Sequence, residues 1–165
     1  MTTSKLLTIA IPTINEAIGL KRLLNSIYEN LKILEEKEFK ISIKIAINGG
    51  KDPIPFVKSK INELKEFEII NEIKYDYRDI NIKFASNLSY LHSSCEEGFI
   101  WFISDDDIVL IDTIQYVISE IKKIKAKHEI DKIPPIYLNW ISSNKKVDSY
   151  NKPTLKTIGE FCEHN

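Results

Sequence analysis

Phe99-Ile100-Trp101-Phe102-Ile103-Ser104-Asp105-Asp106-Asp107 is the stretch on which the fold turns. Five apolar or aromatic residues, then three carboxylates just beyond them, read as a fully buried, central parallel strand that runs into an acidic loop. In open α/β sheets, ligands bind just beyond the carboxyl ends of such strands. Adjacent carboxylates repel one another, and a divalent cation relieves that repulsion. A plainer reading competes: Ile108 to Ile124 carries a helical pattern, and Asp is a good N-cap, so the triplet could simply start the next helix.

Working outward, the same alternation of strand and helix repeats on both sides. Leu6 to Ile11 is an apolar strand ended by Pro12, with Thr13 to Glu16 as a loop and Asn15 in position to N-cap the next helix. Leu20, Leu23, Leu24, Ile27, Leu31 and Leu34 then form one apolar helix stripe. Phe39 to Ile47 predicts a second strand, Asn48-Gly49-Gly50 a turn, and Pro53 to Leu64 a short helix. Glu68 to Tyr77 predicts a third strand nearer an edge, and Asn81 to Glu96 a helix with Gly98 in a C-cap position. Beyond the acidic triplet, Ile136 to Ile141 predicts a fifth strand and Leu155 to Cys162 a short helix. Strands and helices in this order specify βαβ units with right-handed crossovers, a Rossmann-like αβα sandwich with a mainly parallel sheet. The polar loops Thr13 to Glu16, Asn48 to Asp52 and Asp105 to Asp107 then share one edge of that sheet. Such a crevice suits a phosphorylated ligand held through a divalent ion.

With 165 residues, the chain has room for one domain with a full core. A net charge of -1 and no local basic stripe argue against a nucleic-acid partner. Met1 to Lys5 is polar and leads straight into a strand, so no signal peptide is expected, and no apolar stretch reaches bilayer length. Cys95 and Cys162 form no CxxC pair and read as free thiols of a cytoplasmic protein. GxGxxG after the first strand, a P-loop, and the acidic residues that a phosphate-receiving or phosphatase αβα domain carries there are all missing.

Three pieces, LTIAIPTINEAIGLKRLLNSI from Leu7, IAINGGKD from Ile45, and NIKFASNLSYL from Asn81 leading to GFIWFISDDD ending at Asp107, carry a resemblance. In order and spacing the chain resembles the N-terminal, nucleotide-sugar-binding portion of family 2 glycosyltransferases, which have the GT-A fold. The resemblance implies residues 1–143 as the nucleotide-sugar-binding domain. It implies residues 144–165 as a polar segment beginning an incomplete acceptor-side region, so that the chain reads as C-terminally truncated. It places Pro12, Thr13, Asn15 and Glu16 in the first nucleotide loop, Asn48 and Asp52 beside the base, and Arg78 and Asn81 near the nucleotide. Asp105, Asp106 and Asp107 occupy the DxD motif, with Asp105 and Asp107 as the ligands of Mg²⁺ or Mn²⁺.

The activity that the resemblance implies is a metal-assisted, inverting transfer of a sugar from a nucleotide-sugar donor to a glycan or lipid-linked acceptor. Glycan assembly of that kind implies a cytoplasmic place, at the inner face of the cytoplasmic membrane if the association is peripheral. Three positions depart from the family pattern: Ile14 replaces an aromatic that stacks on the base, Ile47 an acid that reads its edge, and Lys83 a glycine. No general base is assigned; Glu160 and Glu163, the last acids, read as surface charges on a terminal helix. A second reading therefore stands beside the first, a catalytically incompetent fragment that binds a nucleotide sugar or a partner protein.

Overall fold

The computed structural model of the chain describes residues 6–14, 17–95 and 98–127. Asn15, Glu16, the expected fifth strand, the expected terminal helix with Glu160 and Glu163, and the expected boundary at 143/144 all lie outside the described residues. The elements, in chain order, are β1 (Leu6–Thr13), α1 (Ala17–Ile33), β2 (Lys40–Asn48), α2 (Ile54–Leu64), β3 (Ile70–Arg78), α3 (Phe84–Ser94), β4 (Phe99–Phe102) and α4 (Thr113–Lys127). The described strands form one parallel sheet in the order β3-β2-β1-β4. Right-handed crossovers place α1 and α2 together on one face, where they touch, and α3 on the other, where it packs on β1 and β2. This is the α/β, Rossmann-like architecture expected.

The deepest part of the sheet is β1 and β2. Every residue of β1 is buried, and so is every residue of β2 after Lys40. Even the polar residues of β2 are enclosed with partners, Ser42 accepting from Asn71 Nδ2 at 3.2 Å and Lys44 donating to the Ser94 carbonyl. On the α3 face, Leu91 packs with Ala10 and Ala46; small strand residues there let the helix sit close. Pro12 does not break β1, which continues to Thr13 with Pro12 opposite Ala46. The reason is parity: the Ala10 carbonyl accepts from Ile103 N–H on the β4 side at 3.1 Å, so the missing Pro12 N–H faces that side, just past the last residue of β4.

Three further expectations change. First, β4 is not fully buried: Phe99 to Trp101 are half-buried with Phe102 exposed, and among the described residues it pairs with β1. Second, the helix after the acidic triplet starts at Thr113 rather than near Ile108. Asp112 takes a left-handed φ of 64°, which ends any helix running through it. Val109 is meanwhile pinned by α1, its N–H donating to Ser26 Oγ at 3.0 Å and its carbonyl accepting from Asn30 Nδ2 at 3.3 Å. Asn30 Oδ1 also takes the Ile114 N–H at 3.3 Å, so a buried side chain of α1 serves a donor in the first turn of α4. Third, α3 ends at Ser94, and Gly98 is not its cap. A Cβ on Gly98 would lie 2.6 Å from the Leu6 carbonyl oxygen, so glycine is required there to let the chain enter β4 alongside β1.

Candidate functional site

The carboxyl edge of the sheet collects four loops, and the strand order decides where they open. The chain passes from β1 to β2 to β3 in one direction and then returns to add β4 on the other side of β1. The strand order reverses between β1 and β4, and the crevice at their carboxyl ends is the topological switch point at which ligands of such folds bind. Thr13 ends β1 at that crevice, and its hydroxyl donates to Asp105 Oδ2. The first residue of the acidic triplet is thereby tied to the first loop.

Asp105 is half-buried, whereas Asp106 and Asp107 are exposed. Burial pushes the Asp105 pKa above the ordinary carboxyl range; the Thr13 hydroxyl pulls the other way, and the Asp106 charge adds to the rise. The turn itself is closed by two bonds, Asp107 N–H to the Ser104 carbonyl at 3.1 Å and Ser104 N–H to Asp107 Oδ2 at 3.3 Å. None of the three acids caps α4, which begins at Thr113. The capping explanation of the triplet is thus removed.

The other half of the edge, at the ends of β2 and β3, is built differently. Asn48 is fully buried; its Nδ2 donates to Asn81 Oδ1 at 3.1 Å and its Oδ1 accepts from Ile82 N–H at 3.1 Å. Asn81 Oδ1 also receives the Lys83 N–H at 2.8 Å, and Gly49 N–H donates to the Arg78 carbonyl at 2.9 Å. Gly49 sits at φ 81°, a turn that glycine alone adopts without strain. Lys83, where the family pattern has glycine, holds φ 67° and ψ 162° at the start of α3. That region is close to glycine-only, so this residue carries real backbone strain.

The predicted site residues thus fall into two groups. Thr13 and Asp105 meet at the crevice, with Asp106 and Asp107 on the same turn and Pro12 buried in β1 just below. Asn48, Arg78 and Asn81 form a second cluster, with Asp52 exposed nearby in the turn before α2. Ile47 is fully buried, so no side chain at that position reads a ligand here, whereas Ile14 is 46% exposed beside Thr13. Two residues that sequence reasoning passed over join the second cluster. Asn87 accepts from Arg78 Nη1 at 3.4 Å, and the Tyr90 ring lies 3.6 Å from the Arg78 guanidinium carbon. Their three-residue spacing on α3 was the available signal. A shallow groove of about 410 Å³ between α2 and β3, lined by Lys58, Lys65, Lys74 and Tyr75 among others, lies on the flank of the sheet rather than at this edge.

Hard oxygen donors of this kind suit Mg²⁺ or Mn²⁺. Among the described residues no three His, Cys, Asp or Glu side chains converge to hold a metal. Two carboxylates on one short turn instead fit the way Mg²⁺ is held, by one or two carboxylates with the remaining positions left to water and phosphate.

An α/β fold with a parallel sheet and an acidic loop at its switch point is the class that these observations define. Solved structures share the fold. TarS 1–349 from S. aureus superposes with a TM-score of 0.57 at 16% identity, over 72% of this chain and 33% of that one, and the complex of TarS 1–349 with UDP-GlcNAc matches equally well. The mannosyltransferase PcManGT from Pyrobaculum calidifontis, in complex with GDP-Man and Mn²⁺, gives a TM-score of 0.53 at 17% identity over 66% of this chain and 30% of that one. The match spans about a third of the length of these proteins, and at such identities the likeness is one of fold. No protein-family profile and no curated protein matches the chain.

Proposed function

We propose that the chain is a family 2-like glycosyltransferase, or the donor-binding part of one, which binds a nucleotide sugar across its carboxyl edge with Mg²⁺ or Mn²⁺ and transfers the sugar with inversion. The observation that carries this reading is the Thr13–Asp105 bond at the switch point, which sets a half-buried carboxylate against the first loop. The fold that the chain shares with TarS and with the mannosyltransferase supports it.

In this reading Asp105 and Asp107 would hold the ion against the donor diphosphate. A bound divalent ion neutralises charge that develops on the diphosphate leaving group. Thr13 fixes the Asp105 carboxylate through Oδ2, and the closed turn at Ser104 fixes Asp107. Pro12, Asn15, Glu16 and Asp106 line the path of the nucleotide, Asp52 borders it, and Asn48 with Asn81 shapes the loop beneath the base. An acceptor hydroxyl, on a glycan or a lipid-linked acceptor at the membrane surface, attacks the anomeric carbon in line and gives up its proton to a general base. Donor binding without turnover is the second reading, favoured by Ile14 and the buried Ile47 at the two positions where the family pattern has base-contacting side chains.

Titration calorimetry with UDP-GlcNAc and with GDP-mannose, each with Mn²⁺ and with a chelator, tests the proposal. Metal-dependent binding that Asp107→Ala removes is the expected result. Failure of every nucleotide sugar to bind, with or without metal, or binding that Asp107→Ala leaves unchanged, overturns it.

A further inference from the structure

Arg78 ends β3 in register with Asn48, at the far side of the edge from the acidic turn. Three strand spacings separate it from β4, roughly 14 Å, so the cation and the triplet engage different parts of one ligand. One flat side of the guanidinium is covered by the Tyr90 ring at 3.6 Å, and Nη1 is held by Asn87 Oδ1 at 3.4 Å. Both partners are themselves anchored. Asn87 is buried and donates through Nδ2 to the Ala46 carbonyl of the central strand at 3.1 Å. The Tyr90 hydroxyl donates to Asp76 Oδ2 at 2.7 Å, one pleat repeat before Arg78 on β3. No carboxylate forms an ion pair with Arg78 among the described residues, and beyond Asn87 and the Tyr90 side chain, with which it also hydrogen-bonds, the rest of its five N–H donors are left for something else. An arginine on a surface is ordinarily mobile; here a ring and a buried amide hold it in one orientation with its remaining donors uncommitted.

We infer that α3 presents Arg78 to the nucleotide through Tyr90 and Asn87, which act as positioning residues for it. This rests on the nucleotide-sugar reading and adds to it the device that orients one of its cations. A guanidinium already fixed loses less freedom on forming paired bonds to an acceptor-rich group, and a planar fork matches phosphate or base carbonyls better than a lysine does.

The chain has only two arginines, Arg22 and Arg78, and Arg22 is exposed on α1. Side-chain ¹⁵N–¹H spectra therefore separate them, with Arg22→Lys making the assignment. The clamp requires that the Arg78 Nε–H be shifted upfield by the Tyr90 ring and that Tyr90→Leu return it to the Arg22 position. Calorimetry with UDP and GDP in Mn²⁺ then reads the consequence for binding. Arg78→Ala and Tyr90→Leu each weaken binding about tenfold, Tyr90→Phe keeps the ring and stays within about threefold, and the Arg78→Ala/Tyr90→Leu double variant is no weaker than Arg78→Ala alone. An unshifted Arg78 signal overturns the clamp and leaves the nucleotide reading standing. A shifted signal with additive losses, or with Tyr90→Leu binding like the native chain, overturns the positioning role. Absence of any nucleotide binding by the native chain overturns the nucleotide reading itself, and with it the use made of Arg78.

Discussion

The two halves of the carboxyl edge answer the same problem, polar groups at the end of a buried sheet, in opposite ways. At the ends of β2 and β3 the groups satisfy one another: Asn48, Asn81, Ile82, Gly49 and Arg78 close a network that fully buries Asn48. Between β1 and β4 a half-buried carboxylate takes a hydroxyl from Thr13 and sits next to a second charge, with its pKa pushed up. The Asn48 network, which takes in Arg78 only through its backbone carbonyl, is complete in itself and is a scaffold. A charge held at a cost, with like charge beside it, is where the proposed function places its counter-charge.

The contrast is broken most severely by exchanging damage between the halves. Asp107→Ala, on the exposed turn, should leave the urea midpoint unchanged while weakening metal-dependent nucleotide binding on the order of a hundredfold, about 2.7 kcal/mol. Asn48→Ala should do the reverse in its first effect. It strips the Ile82 N–H of its acceptor inside the network, at a cost to stability of about 2 kcal/mol by urea unfolding. If Asp107→Ala destabilised the fold as much as Asn48→Ala, the acidic turn would be scaffold too.

Lys83 sharpens the contrast from the other side, because it is a strained residue in the satisfied half. Its backbone lies where glycine is at ease, and Asn81 Oδ1 holds its N–H there. Lys83→Gly should therefore stabilise the chain by about 1 kcal/mol, the strain relieved less the entropy that glycine loses on folding, read from the same urea curves. A loss of stability would show that the lysine side chain contributes more than its backbone costs.

How much of this was legible beforehand depended on whether a residue's role was local. The apolar runs of β1 and β2 read directly as strands buried on both faces, and the polar dilution of β3 marked an edge. Pro12 misled because a proline is disruptive only when its missing N–H faces a partner, and that depends on where β4 ends. Ile108, Leu110 and Ile111 imitate a helix stripe, yet all three are exposed beside a pinned Val109; the partners that pin it, Ser26 and Asn30 of α1, are far away in the chain. Sequence reasoning gave those two no role for the same reason. In the site, loop positions at strand ends followed from topology alone. The buried self-pairing of Asn48 and the stacking of Tyr90 on Arg78 did not, since each needs three-dimensional neighbours from different βα units.

The smallest effect expected belongs to Asp105, and pH controls it. A carboxyl whose folded-state pKa lies above its unfolded value binds its proton more tightly when folded, so ionising it favours unfolding. That penalty is absent below the ordinary Asp range, grows as pH rises through the raised folded-state pKa, and persists above it. Asp105→Asn keeps an oxygen to accept from Thr13 and removes the charge. In metal-free buffer it should melt slightly higher than the native chain at neutral pH, and the difference should vanish as pH falls below the ordinary carboxyl range. Adding Mn²⁺ with a nucleoside diphosphate should then reverse the order, because only the native carboxylate has a counter-charge to gain. An Asp105→Asn chain that melted lower at neutral pH without metal would mean that the protein's own groups already compensate the charge, and the crevice would lose its distinction from the satisfied half of the edge.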